Sequence, residues 1–283
     1  MQFSLLMGGD CSLIYMLIAQ VSAPVLLGGA LDSPFISYNK SLFTDRAIVA
    51  SVPNAGRLRP YTLAETMNHG WCWNIPTVEE DHRGYVFSSA FATVEEAAEE
   101  MRQRNPKMGD YFTVKFVSGR HDDFWKGNVV AIGNSYAFVE PLESTALHMA
   151  ILQIEHLLEA LPVRKHERGV QAALNRKVGD HWDYVRWFLA LHYRFNNRLN
   201  TPFWQASRSD VDVSAYAELL DWFRERGPLS CTGANKLRVP DNLWADRSRH
   251  YPARAADCFA CTEAQEPSGS LEATCKYRTR HCL

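Results

Sequence analysis

Residues 129–147 read Val-Val-Ala-Ile-Gly-Asn-Ser-Tyr-Ala-Phe-Val-Glu-Pro-Leu-Glu-Ser-Thr-Ala-Leu. An apolar strand runs into Gly133-Asn134. A loop through Pro141 then delivers the chain to a helix that starts near Ser144. The first turn of a helix presents backbone N–H groups without partners inside the helix, and a partial positive charge. Such a start suits an anion or the electron-rich end of a cofactor. Glu143 stands just before those amides, where a carboxylate can orient a group or carry a proton. On these features alone an ordinary strand–loop–helix turn, with Glu143 merely capping the helix, fits as well.

Other reactive residues point less clearly. Cys258-Phe-Ala-Cys261 is followed by Cys275, His281 and Cys282, a spacing that zinc sites use. The flanking residues lack the strands and turns of a zinc ribbon, so an incidental cysteine-rich tail and no metal are expected. His181, His192 and His250 are isolated, and His192 reads as a packed histidine on an apolar-faced helix. Ser144 sits in no Gly-x-Ser-x-Gly elbow, which argues against a hydrolase triad.

The elements that must position these residues follow from periodicity. Residues 46–52 form an apolar run ended by Pro53, expected as a strand. Residues 71–75 alternate, with Trp71, Trp73 and Ile75 on one face and Cys72 and Asn74 on the other. Further strands are expected at 84–89, 111–118 and 128–132. Thr93-Val-Glu-Glu96 is a capping box, and the helix it opens ends before Asn105-Pro106. Beyond Ser144 the residues Leu147, Ile151, Ile154, Leu158 and Leu161 recur at helical spacing as one buried stripe. A longer helix is expected over 168–196, interrupted near Gly179. Another covers 213–226, led in by the capping residues of Ser209-Asp-Val-Asp212.

The apolar run 13–27 reads as a buried helix, too short and broken for a membrane span. No Lys or Arg precedes Lys40, so a signal peptide would lack its basic region. Strands first and helices later predict an α/β or α+β architecture, the former preferred, with a mixed sheet and a helical C-terminal region. Its parts are an apolar segment 1–25, a sheet-rich part 26–143, a helical region 144–228 and an irregular tail 229–283.

The 283 residues are 46% hydrophobic and 22% charged, with a formal net charge of −2. This excludes a nucleic-acid binder that relies on a basic field, and a disordered acidic chain. Seven scattered cysteines fit a reducing cytoplasm.

Two motifs in order carry a resemblance. Gly70-Trp-Cys-Trp-Asn-Ile-Pro76 contains Trp-x-Trp-x-Ile-Pro, and Phe138-Val-Glu-Pro-Leu-Glu-Ser-Thr145 follows it. Agreement extends through Pro34-Phe-Ile-Ser-Tyr-Asn39, Arg59-Pro-Tyr-Thr62, Phe116-Val-Ser-Gly-Arg120 and Thr201-Pro-Phe-Trp204. The chain resembles the flavin-dependent halogenases of the tryptophan-halogenase family over roughly 26–228. The resemblance implies an FAD/NAD(P)-binding, flavoprotein-monooxygenase-like fold, incomplete in these residues. It implies an oxidoreductase that takes reduced FAD from a separate flavin reductase and, with dioxygen, oxidises chloride or bromide. The halogen then reaches an electron-rich aromatic such as tryptophan, free or carrier-bound, through a tunnel. No membrane partner is implied.

Carried over residue by residue, Glu143 matches the active-site glutamate. Gly133, Asn134 and Pro141 match positions beside the flavin. Thr145 and Ala146 match the halide site, where Ala146 stands in place of the usual glycine. Trp71, Trp73, Ile75, Pro76 and Ser144 match the substrate and tunnel wall. The tryptophans have a physical rationale, since large indoles fill the space between a flavin edge and a substrate.

The Gly-x-Gly-x-x-Gly turn of a dinucleotide cradle and the family's essential lysine are not found at the matching places. The isolated chain is therefore expected to bind FAD weakly and not to halogenate. The rival readings are a non-catalytic remnant or binding module on the same scaffold, and a related flavin monooxygenase. Trp-x-Trp-x-Ile-Pro speaks against the last.

Overall fold

The alternation at 71–75 and the apolar run at 46–52 become neighbouring parts of one antiparallel sheet. The computed structural model describes residues 2–4, 16–18, 25–54, 59–160 and 168–226. The strands are β1 (Gln2–Ser4), β2 (Met16–Ile18), β3 (Phe35–Ser37), β4 (Arg46–Pro53), β5 (Leu63–Met67) and β6 (Gly70–Pro76). They continue as β7 (Glu80–Phe87), β8 (Tyr111–Lys115), β9 (Gly119–His121), β10 (Trp125–Lys126), β11 (Val129–Ala131) and β12 (Ala137–Phe138). The helices are α1 (Val94–Arg104), α2 (Thr145–Ala160), α3 (Arg168–Arg194), α4 (Pro202–Asp210) and α5 (Ala217–Arg226). The chain divides into two compact units, Met1–Tyr216 and Ala217–Leu283.

Five strands pair in the order β5-β6-β7-β4-β8, all antiparallel. Their inward residues Ile48, Tyr85 and Phe87 pack on Ala97, Ala98 and Met101 of α1. The capping box is present: Thr93 Oγ1 accepts from the Glu96 N–H, and the Glu96 carboxylate accepts from the Thr93 N–H. A three-stranded sheet runs β12-β9-β3. A four-stranded one runs β1-β2-β11-β10, in which β2 and β11 are parallel. The architecture is mixed α/β.

Five expectations need correction. The run 13–27 is not a helix where it is described: Met16–Ile18 is a strand on β11, and only Val25–Ala30 is helical, as a π turn. The strand expected at 84–89 begins earlier, at Glu80. Asp81 and Arg83 mask it in the sequence, yet they face each other at 3.7 Å on one side of β7. Helix α3 is not interrupted at Gly179. A Cβ there would come within 3.2 Å of the Arg120 guanidinium, which needs the space to reach Asp183 at 2.9 Å.

Ser209 and Asp210 end α4, a helix whose start signal is Pro202 in its first turn. The capping role expected of the four residues falls to Asp212, which accepts from the Ser214 N–H at 3.0 Å. The chain then makes a 3-10 turn, Ser214–Tyr216, before α5 begins.

The fifth correction concerns α2. Its apolar stripe faces out: Leu147 is 73% and Leu158 58% exposed, and Ile151 and Ile154 are exposed too. The buried face carries Thr145, Met149, Gln153, His156, Leu157 and Ala160. Spacing defines a face but not its direction: here Gln153 turns inward to accept from the Gly133 N–H, and His156 packs against the His181 ring. Leu161, the cysteine-rich tail and most of 1–25 lie outside the described residues. No described helix is long and apolar enough to cross a membrane. In the second unit, Arg224 pairs with Asp221 one turn back along α5 at 2.7 Å.

Candidate active site

Strand β11 ends in a 3-10 turn, Gly133–Ser135, that lies beside α2. Gly133 has φ of +60°, a left-handed conformation that glycine adopts without a Cβ clash. Its N–H donates to Gln153 Oε1 of α2 at 2.8 Å, so the helix fixes the turn. The space beside Gly133 is open, with only the Ala150 methyl within reach of an added Cβ, at 3.5 Å.

Past β12 the chain crosses Val139-Glu140-Pro141 and enters a second 3-10 turn, Leu142–Ser144. Glu143 and Ser144 have φ of 64° and 53°, both left-handed. Each such residue costs roughly 1–2 kcal/mol relative to the ordinary helical region, and strain of this kind persists only where the surroundings enforce it. The result lifts the Glu143 side chain out of the helical path. Its Oε1 faces His192 Nε2 of α3 at 3.4 Å. His192 Nδ1 lies 3.0 Å from the Phe188 carbonyl oxygen. Nδ1–H thus donates to that carbonyl, and the ring is held with Nε2 towards Glu143. Thr145, next in line and fully buried, has a hydroxyl with no hydrogen-bond partner.

Under this turn lies a second carboxyl. Glu140 is fully buried. Its Oε2 accepts from the Thr44 hydroxyl, and its Oε1 accepts from the Tyr193 phenol and from Trp71 Nε1, the last at 3.2 Å. Burial pushes the Glu140 carboxyl above the ordinary carboxylate range, against those three hydrogen bonds and the nearby His192. Burial and the adjoining Glu140 push the Tyr193 phenol up as well.

Trp71 is buried and its ring centre is 6.0 Å from that of Trp73. Trp73 lies flat over Gly84 of β7, where a Cβ would overlap the indole at 1.8 Å. Ile75 and Pro76 close β6, where Ile75 is 43% exposed. Cys72, on the other face of β6, is a core residue whose thiol burial pushes up to about 12, which removes it as a nucleophile. Among the described residues no cluster of His, Cys, Asp and Glu could hold a metal ion.

The expected site residues thus fall in two groups. Gly133, Asn134, Pro141, Glu143, Ser144, Thr145 and Ala146 share one strand–turn–helix unit. Trp71 and Trp73 reach it through Glu140. Sequence reasoning missed Glu140, Tyr193 and the role of His192. Glu140 had a weak signal, an acid beside Pro141 in an apolar run; His192 and Tyr193 had none.

A carboxylate–imidazole pair on an enforced turn, a buried hydroxyl without a hydrogen-bond partner and two neighbouring indoles thus come together in a mixed α/β fold. Comparison with known proteins identifies the family. Residues 22–259 match the tryptophan halogenase family, and the chain belongs to it. Tryptophan 7-halogenase RebH of Lentzea aerocolonigenes is 34% identical over 233 residues, 80% of this chain and 44% of RebH. Tryptophan 6-halogenase SttH of Streptomyces toxytricini is 35% identical over 210 residues, 72% of this chain and 40% of SttH. The crystal structure of MibH, a tryptophan 5-halogenase, superposes with a TM-score of 0.73 at 35% identity, covering 91% of this chain and 60% of MibH. The chain therefore spans less than half the length of these curated relatives.

Proposed function

We propose that the chain forms the halide and substrate side of a flavin-dependent halogenase. This oxidoreductase uses reduced FAD, dioxygen and chloride or bromide to halogenate an electron-rich aromatic such as tryptophan. The observation that carries the reading is the Glu143–His192 pair, 3.4 Å apart, beside the unpartnered buried hydroxyl of Thr145. A halide accepts hydrogen bonds and needs few of them, so an orphaned hydroxyl at a helix start suits it. The open space at Gly133 likewise suits the approach of a flat ring system.

In this reading Gly133, Asn134 and Pro141 lie against the flavin, and Thr145 and Ala146 hold the halide. When bound, the reduced flavin would give two electrons to dioxygen, whose remaining oxidising capacity takes two more from the halide and leaves an electrophilic halogen. The chain's own residues do the rest. Trp71 and Trp73, with Ile75, Pro76 and Ser144, wall the path to the substrate and keep it off the flavin. Glu143 Oε1 takes up the proton that leaves the substituted aromatic carbon and hands it to His192 Nε2. A separate flavin reductase supplies reduced FAD in the cytoplasm, and the aromatic substrate is free or carrier-bound.

The test joins this chain to the N-terminal portion of a relative and supplies FAD, a flavin reductase, chloride and tryptophan. Chlorinated product by mass spectrometry is expected, and Glu143→Gln should reduce it by roughly 100-fold or more, the scale of a general acid–base group. Equal product from Glu143→Gln would overturn the assignment.

A further inference from the structure

Glu140 stands three residues before Glu143, and the halogenation reading gives it no task. Three donors from three places converge on its carboxyl: Thr44 ahead of β4, Trp71 of β6 and Tyr193 near the end of α3. Thr44, Trp71 and Tyr193 are all buried. No lysine or arginine is among these partners, so hydrogen bonds alone hold the acid inside the protein. A buried carboxyl is costly unless its bonds are complete, and a complete network fixes its members in one geometry.

The segment it anchors is the one under strain. The turn Leu142–Ser144 carries two left-handed residues in succession, and its far end is fixed by α2. The near end has Ser144 N–H donating to the Pro141 carbonyl at 2.9 Å, and one residue before that proline the three hydrogen bonds accepted by Glu140. Tyr193, which Glu140 binds, adjoins His192, which faces Glu143. One carboxyl thus ties the helix that presents the imidazole to the turn that presents the site carboxylate. Tyr193 is itself immobilised: its ring stacks on Trp204 at 5.8 Å, and Trp204 Nε1 donates to the Met67 carbonyl at 2.7 Å.

We propose that Glu140 is a positioning residue whose carboxyl, bound to Thr44, Trp71 and Tyr193, holds the Leu142–Ser144 turn so that Glu143 faces His192. Its importance for catalysis rests on the reading of Glu143 given above, whereas the geometry it enforces does not.

A glutamine has the same shape and can complete the same bonds: its oxygen accepts from Trp71 and Tyr193, and its NH2 donates to the Thr44 oxygen. An alanine leaves three buried donors without an acceptor. The test uses the whole chain with 15N-labelled histidine and follows the imidazole resonances by NMR. Glu143→Gln identifies His192 by displacing its Nε2 resonance. Glu140→Ala should displace the same resonance to a comparable extent, because the relaxed turn withdraws Glu143. Glu140→Gln should leave it at the wild-type position.

A folded Glu140→Ala protein with an unmoved His192 resonance overturns the proposal. So does Glu140→Gln moving it as far as Glu140→Ala, or Glu143→Gln not moving it at all. Should Glu140→Ala fail to fold, Thr44→Val and Trp71→Phe each remove one donor to Glu140 without altering α3 or the turn. A smaller displacement in the same direction supports the proposal, and none in either variant overturns it. A role confined to core packing would lower the stability of Glu140→Ala without displacing the His192 resonance. Failure of the product assay alone would refute the catalytic reading and leave the resonance result standing.

Discussion

At Glu143 and Ser144 the backbone itself is part of the site, with φ of 64° and 53°. Neither residue has glycine's tolerance of that region, so the turn holds strain that the native contacts must offset. Ser144→Gly should release part of it. The gain, set against glycine's greater freedom in the unfolded chain, is about 0.5 kcal/mol of stability. Urea denaturation checks this, and a clear loss of stability would show that the turn is not strained. The opposite sign is expected at Gly133, where φ is +60° and the nearest obstacle to a methyl is 3.5 Å away. There Gly133→Ala should cost about 1 kcal/mol through backbone conformation alone, seen as a lower urea midpoint. One substitution introduces glycine and the other removes it, both in left-handed turns, so stability should move in opposite directions. None of this strain is visible in the side-chain pattern. Glu143 can be picked out as a carboxylate before a helix, but its conformation depends on Glu140, Thr44 and Tyr193, which only the tertiary fold brings together.

Helix α2 shows what periodicity does and does not determine. Leu147, Ile151, Ile154 and Leu158 share a face as their spacing requires, yet that face is exposed. Adjacent residues on the same helix should therefore respond very differently. Leu157→Ala removes a buried side chain and should cost about 2–4 kcal/mol, whereas Leu158→Ala should cost less than about 0.5 kcal/mol. Similar urea midpoints for the two variants would contradict the orientation of α2. The inward face also carries a titration. The His156 and His181 rings meet between α2 and α3 with centres 5.3 Å apart. Burial, then His156 and Lys177, lower His181 from 6.5 to about 4; burial and Lys177 lower His156 too. Below pH 6.5 the unfolded chain takes up protons that the folded pair refuses, so stability is full above pH 6.5 and declines as the pH falls towards about 4. Urea midpoints across that range should drop in the wild type and drop less in His181→Gln. Parallel curves would mean that the pair does not sense the proton.

Across the whole molecule, what was legible in the sequence was local. The capping box at Thr93, the strand at Trp71 and the strand–turn–helix unit around Glu143 each depend on neighbours in the chain, and each is present. What was hidden was long-range: Arg120 filling the space beside Gly179, Gln153 turning inward to bind Gly133, and His192 meeting Glu143. The match over residues 22–259 shows the family, but the chain spans 44% of RebH, and no Gly-x-Gly spacing occurs in its 283 residues. The pyrophosphate of FAD is ordinarily held by such a glycine turn at a helix start, while the residues proposed above to meet FAD and halide would address only the ring system and the halide. The purified chain should therefore bind FAD weakly, since a ring contact without a phosphate cradle forgoes the charged part of the ligand. A titration followed by flavin fluorescence should show no saturation at micromolar FAD, and riboflavin, which lacks the pyrophosphate, should compete about as well as FAD. Tight, saturable FAD binding with riboflavin excluded would mean that these residues build a phosphate site of their own, and would overturn the division of labour proposed for this chain.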